Sequence, residues 1–206
     1  MVNPVKARKF RTLLAKIVCP SLLFAGSVCS EQNPRPPVNY ADFGACPFEC
    51  CTYRRWSVVK DTVLYKSRSE KSGEAFRVRK GEHVIGLTGV VITLRPGKAI
   101  VNKTSILGDS QRRIRVKPGN VIYLLHYKGE GFYKFWFQSR IYQGEMPFAP
   151  DLVYQSPKQK AEQEARAGVR ILSEPQTVWW VKVKNEKGRV GWSKQDENFG
   201  DMDACG

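Results

Sequence analysis

The sequence predicts a mainly β protein of two small barrels, in tandem or interleaved, with one polar helical excursion and a disulfide-rich N-terminal segment. Three observations carry this. Short apolar runs are divided by Gly and Pro turns along most of the chain, only one stretch has both a helix start and a helix stop, and one glycine turn feeding an apolar strand occurs twice.

The first thirty residues carry Lys6, Arg8, Lys9, Arg11 and Lys16 with no acidic residue, followed by the apolar stretch Ile17–Val28. A basic region before a short apolar one predicts a secretory signal peptide over residues 1–30, and this stretch, interrupted by Pro20, is shorter than the roughly 20 apolar residues needed to span a bilayer. Small residues allow cleavage after Ser27 or after Ser30. A lipoprotein anchored through Cys29 is the weaker alternative, because Val28 is branched and Gly26 stands where such sites carry leucine. The expected location is periplasmic or secreted, with no transmembrane segment after signal removal. Taking those five cations from 34 Lys+Arg leaves 29 against 19 Asp+Glu, about +10. Outside the cytoplasm such a surface favours anionic wall and envelope polymers before nucleic acid, or serves solubility alone.

Cutting after Ser30 leaves Cys46, Cys50, Cys51 and Cys205, an even number that reads as two disulfides in an oxidising compartment. Adjacent Cys50 and Cys51 rarely bond to each other. The expected arrangement joins Cys46 to one of them and the other to Cys205. That long bridge closes a loop of about 155 residues, worth on the order of 4–5 kcal/mol in the chain-entropy model. Zinc is disfavoured because only one half has knuckle spacing, and a redox site because no Cys-x-x-Cys is present.

Residues 31–55 form a Pro-rich tether and cysteine cluster. Strands are expected at 56–59, 62–66, 83–87, 90–94, 99–101, 113–116, 121–127, 131–138, 178–184 and 189–193. Between Pro157 and Gly168 the chain reads as a helix that is polar almost all round. The repeated turn is Val78-Arg-Lys-Gly-Glu-His-Val-Ile-Gly-Leu87 against Val116-Lys-Pro-Gly-Asn-Val-Ile-Tyr-Leu124, aligned with one residue deleted.

These motifs resemble bacterial SH3-like (SH3b-type) domains of exported proteins. Thr62-Val-Leu-Tyr65 followed by Lys80-Gly-Glu-His-Val-Ile85 is similar to the opening strand and turn of that family. Lys117-Pro-Gly-Asn-Val-Ile122 and then Gly131-Phe-Tyr-Lys-Phe-Trp136 repeat the pattern, and Trp179–Trp192 resembles the closing hairpin. The resemblance implies one unit over 56–110 and a second over 111–206 with an insertion at 144–176, the final hairpin closing either barrel. It also implies a noncatalytic module that binds peptidoglycan peptide, an anionic polymer or a protein partner of the envelope. A disulfide-clamped structural or assembly protein without a small ligand is the alternative.

Catalysis is not expected. The cysteines pair, His83 and His126 both lie inside predicted strands, and no phosphate loop or metal motif occurs, so neither cofactor nor metal is implied. The acidic tail Asp196–Asp203 lacks the spacing of a calcium loop. For binding, strand alternation places Trp136 on a mixed face with Lys134, and Trp180 on one with Lys182 and Lys184. Trp136, Trp180, Lys182 and Lys184 are therefore the candidate basic aromatic groove, unless both indoles seal a core.

Overall fold

The computed structural model describes residues 35–148, 156–194 and 196–205. The predicted signal peptide, its cleavage sites and Cys29 lie outside the described residues. The described chain is mainly β with one short helix, in the order β1 (Tyr40–Phe43), β2 (Arg55–Val58), β3 (Thr62–Tyr65), β4 (Glu74–Val78), β5 (His83–Arg95), β6 (Gly97–Val101), β7 (Ser105–Gly108), β8 (Arg113–Val116), β9 (Val121–Gly129), β10 (Phe132–Phe137), β11 (Arg140–Glu145), α1 (Pro157–Arg166), β12 (Val169–Ser173), β13 (Gln176–Asn185), β14 (Val190–Ser193) and β15 (Phe199–Gly200).

The strands pair into one sheet ordered β15-β2-β5-β13-β14-β3-β4, with β1 also on β5, a second ordered β11-β10-β9-β6-β12, and a separate β7–β8 ribbon. All pairings are antiparallel. The chain leaves the first sheet at Arg95 and rejoins it at Gln176, so everything between belongs to the second sheet and the ribbon. The division expected at 110/111 does not coincide with this changeover. The final hairpin β13–β14 packs between β5 and β3, in the first sheet.

The two halves are copies of one plan, the second inserted into the first between β5 and β13. Within the first, β2, β3, β4, β5, β13, β14 and β15 follow in the same order as β6, β7, β8, β9, β10, β11 and β12. The register agrees pair by pair. Trp56 opposite Val84 matches Ala99 opposite Ile122, Leu64 opposite Phe76 matches Leu107 opposite Ile114, and Phe199 opposite Val58 matches Val169 opposite Val101. Each copy has its own apolar cluster, with Leu64, Val78, Val84, Val183 and Phe199 in one and Leu107, Val116, Ile122, Phe135 and Val169 in the other.

The repeated turn has the same structure both times. Gly81 and Gly119 take φ of +89° and +84°, where a side chain is disfavoured. Glu82 N–H donates to the Arg79 carbonyl and Asn120 N–H to the Lys117 carbonyl, both at 3.0 Å. The same two side chains fold back to accept from the Arg79 and Lys117 amides, at 3.0 and 2.9 Å. The two strands that follow run in step with no deletion. In each the register shifts at an equivalent leucine, so that Lys182 faces Thr88 beyond Leu87 and Lys134 faces His126 beyond Leu125.

Two expected strands, 83–87 and 90–94, are one strand of 13 residues. Gly89, in the gap that suggests a turn, and Gly86 before it both make room for indoles: a Cβ on Gly86 would lie 2.6 Å from the Trp56 ring, and one on Gly89 2.1 Å from Trp179 Nε1. In the segment 144–176, α1 opens with a capping box between Ser156 and Gln159, and β12 adds an edge strand to β6.

The cysteines pair Cys46 with Cys51 and Cys50 with Cys205. Between and beyond them, Tyr53 hydroxyl and Trp179 Nε1 both donate to the Ala45 carbonyl, the latter at 3.2 Å, fastening this segment over the first core.

Candidate functional site

The four residues of the predicted groove do not come together. Trp136 lies on β10 in the inserted copy, whereas Trp180, Lys182 and Lys184 lie on β13 in the outer one. Trp136 is only 8% exposed and meets Tyr123 edge-on at 5.6 Å, and Trp180 is 6% exposed and meets Tyr65 at 6.5 Å. The expectation that both mixed faces leave their indoles open is therefore corrected. Alternation gives the face correctly, but a side chain on the outward face can still be covered by a neighbouring strand. Lys184 is exposed, and Lys182 is half-buried.

Around Lys182 a different arrangement forms. The hairpin β13–β14 places Lys182 directly opposite Trp192, and Trp192 lies opposite Tyr65 of β3. The hairpin turn fixes that register: Gly188, at φ +76°, donates to the Asn185 carbonyl at 2.9 Å, and the Asn185 side chain accepts from Arg189 N–H at 2.9 Å. Lys182 Nζ stands 5.7 Å from the Trp192 ring centre. The Arg68 guanidinium, from the turn after β3, lies 5.6 Å from the same ring and 5.0 Å from that of Phe43 on β1. Each such contact is worth about 0.5–1 kcal/mol at an exposed site.

The result is an outward ridge of two cations and two rings, with Phe43 69% exposed. Among the described residues neither Arg68 nor Lys182 forms an ion pair. Sequence reasoning missed Phe43 and Arg68, which come from elements distant in the chain. It had the signal for Trp192, since counting outward from the Asn185–Gly188 turn pairs it with Lys182.

A second polar cluster joins the two copies. Asp42 on β1 accepts from Lys134 Nζ and lies 2.8 Å from His126 Nε2, while His126 Nδ1 lies 2.8 Å from the Tyr127 carbonyl. The buried His126 ring therefore bridges the Asp42 carboxylate and the Tyr127 carbonyl, one through each nitrogen. Burial alone would raise the Asp42 carboxyl, but the hydrogen bonds and charges of His126 and Lys134 outweigh it and hold it down to about 2. Burial opposes the charge on Lys134 too, and the bond to Asp42 raises it nonetheless. Burial beside Asp42 pushes the Tyr40 hydroxyl up. With His126 buried and both nitrogens engaged, this cluster holds strands together and presents no open base.

Asp203 lies near Cys50 and Cys205, but those sulfurs are joined to each other and offer no thiolate to a metal. Among the described residues no helix is long and apolar enough to cross a membrane.

Comparison with protein-family models, with curated proteins and with solved structures gives no match.

Proposed function

We propose that the chain is a noncatalytic, exported module of the bacterial envelope that binds a wall component, peptidoglycan peptide foremost, through the ridge of Phe43, Arg68, Lys182 and Trp192. The observation that carries this reading is the outward face of β13–β14, where two cations are held against aromatic rings with no anion among the described residues paired to them. Such a surface stacks on the flat faces of sugars or peptides and holds their anionic groups. The two disulfides fit an oxidising compartment, in keeping with periplasmic or secreted location. The excess of basic over acidic residues fits an anionic polymer or envelope protein as partner. A pair of small antiparallel units with matching glycine turns is compatible with the SH3-like resemblance.

Sedimentation of the purified mature protein with insoluble wall sacculi tests it. The protein is expected to pellet at low and at moderate salt, and Trp192→Ala to weaken this about tenfold, as loss of an aromatic contact surface at a binding hot spot does. Absence of pelleting overturns the reading. Pelleting abolished by moderate salt also counts against it, since charge alone then suffices.

A second reading rests on the Cys50–Cys205 bridge, which ties the cysteine segment to the C-terminal residues across 155 positions. Under it the chain is a clamped structural or assembly protein of the envelope, and sacculi leave it in solution.

A further inference from the structure

The inserted copy carries, at the position equivalent to Lys182, a lysine whose anion is already in place. Lys134 and Lys182 correspond by register on both sides. Lys134 lies between His126 on β9 and Gln143 on β11, and Lys182 lies between Thr88 on β5 and Trp192 on β14, each beyond an equivalent shift in register. Both point away from the core of their own copy, as neighbours of the buried Phe135 and Val183. On Lys134 sits the carboxylate of Asp42, delivered by the extended segment Tyr40-Ala-Asp-Phe43 and bonded also to His126. Among the described residues no carboxylate pairs with Lys182, while Arg68 stands over the shared Trp192 ring and Thr88 offers a half-buried hydroxyl.

We infer that the face around Lys182 is a carboxylate-binding site, whose occupant is the acidic side chain or terminus of an extended peptide held by Lys182 and Arg68 against Trp192. The molecule itself shows the occupant chemistry, because the same strand position in the other copy receives an aspartate. Two differences make the outer site the open one. Trp192 replaces Gln143, adding a wall for stacking, and Arg68 adds a second cation that Phe43 and Trp192 hold in place before anything binds. A guanidinium fixed by two rings loses little freedom on binding and presents its N–H edge to a carboxylate. A phosphate polymer would also meet the charge, but it lacks the precedent that Asp42 provides.

This inference rests on the ridge as the binding surface and narrows its ligand to a carboxylate. The test is a titration of the oxidised mature protein followed by two-dimensional NMR, with three probes: acetyl-Ala-Asp-Ala-amide, acetyl-Ala-Asn-Ala-amide and inorganic phosphate. The aspartate peptide is expected to shift the Trp192 indole N–H and to bind about tenfold more tightly than the asparagine peptide, the range that a charge-assisted hydrogen bond supplies. Lys182→Gln and Arg68→Gln, both at solvent-reaching positions, are each expected to remove most of that preference while amide dispersion stays native. Equal binding of the two peptides, shifts that map elsewhere, or phosphate binding more tightly than the aspartate peptide each overturn the inference. Sacculus pelleting measured on the same variants separates the two readings. Pelleting that ignores Lys182→Gln leaves wall binding standing and refutes the carboxylate site, whereas aspartate-selective binding at Trp192 without pelleting keeps the site and removes the wall.

Discussion

Lys134 and Lys182 occupy one position in two nested copies of the same sheet, the first capped by Asp42 of the chain itself and the second open beside Trp192. The capped position shows what the junction between the copies costs and gains, and pH reads it directly. Folded Asp42 titrates near 2, below its ordinary 3.8, so its contribution is present above about pH 4 and is lost as the pH falls through about 2. The shift corresponds to about 2 kcal/mol. Denaturant midpoints measured from pH 5 to pH 2 should fall accordingly, and Asp42→Asn should flatten that limb. At neutral pH the same variant should lose about 3 kcal/mol, because the partly buried Lys134 is left without its counter-charge.

Gly86 should tolerate nothing larger. It lies inside the strand expected over 83–87, and the Trp56 ring fills the space where a side chain would begin, 2.6 Å away. Trp56 is fully buried, so it has no room to retreat. Gly86→Ala should cost about 1–3 kcal/mol through overpacking, read from the denaturant midpoint at unchanged slope. Gly81→Ala meets no atom within 4 Å but must hold φ at +89°, so its cost should come from backbone strain alone and be near 1 kcal/mol.

The bridges should differ in weight. Cys50–Cys205 closes 155 residues and Cys46–Cys51 only 5, and the entropy model assigns them about 5 and about 2 kcal/mol. Replacing Cys50 and Cys205 together by serine should therefore lower stability more than replacing Cys46 and Cys51. The opposite ranking would mean that the short bridge is needed to set the Ala45 carbonyl under Tyr53 and Trp179.

The strands of β2, β3, β8, β9, β10, β13 and β14 were legible because each has apolar alternation of its own between strong turn residues. β1, β4, β7, β11, β12 and β15 were not, since these short segments become strands through their partners β5, β3, β8, β10, β6 and β2. The nesting was left open between tandem and interleaved units for the same reason: nothing local in Gln176–Asn185 says that it pairs with His83–Arg95 across the whole inserted copy. The site was half legible. Lys182 was identified from its face and Trp192 stood in the motif of the closing hairpin, but Arg68 and Phe43 reach the ridge from β3 and β1, and no periodicity reports that meeting. Trp136 and Trp180 misled because an outward position is not an exposed one when the next strand brings Tyr123 or Tyr65 over it.

Nesting also predicts that the inserted copy can be removed. Arg95 and Gln176 are cross-strand partners, so a two-residue Asn-Gly turn joining Arg95 to Gln176 in place of residues 96–175 has the geometry of an ordinary hairpin. The shortened chain keeps every strand of the first sheet, its cluster around Trp56 and Trp179, both disulfides and the ridge. It loses the bond from the Thr93 hydroxyl to the Leu125 carbonyl at 2.8 Å and the partners of Asp42. The shortened protein should therefore fold with native near-ultraviolet circular dichroism from its buried indoles, at a stability several kcal/mol below the full chain. Asp42→Asn or Asp42→Ala should now be nearly neutral, since Lys134 and His126 leave with the inserted copy. A collapsed product without near-ultraviolet signal would show that β5 and β13 need the inserted copy to stay paired, and that the two copies form one cooperative unit despite their separate cores.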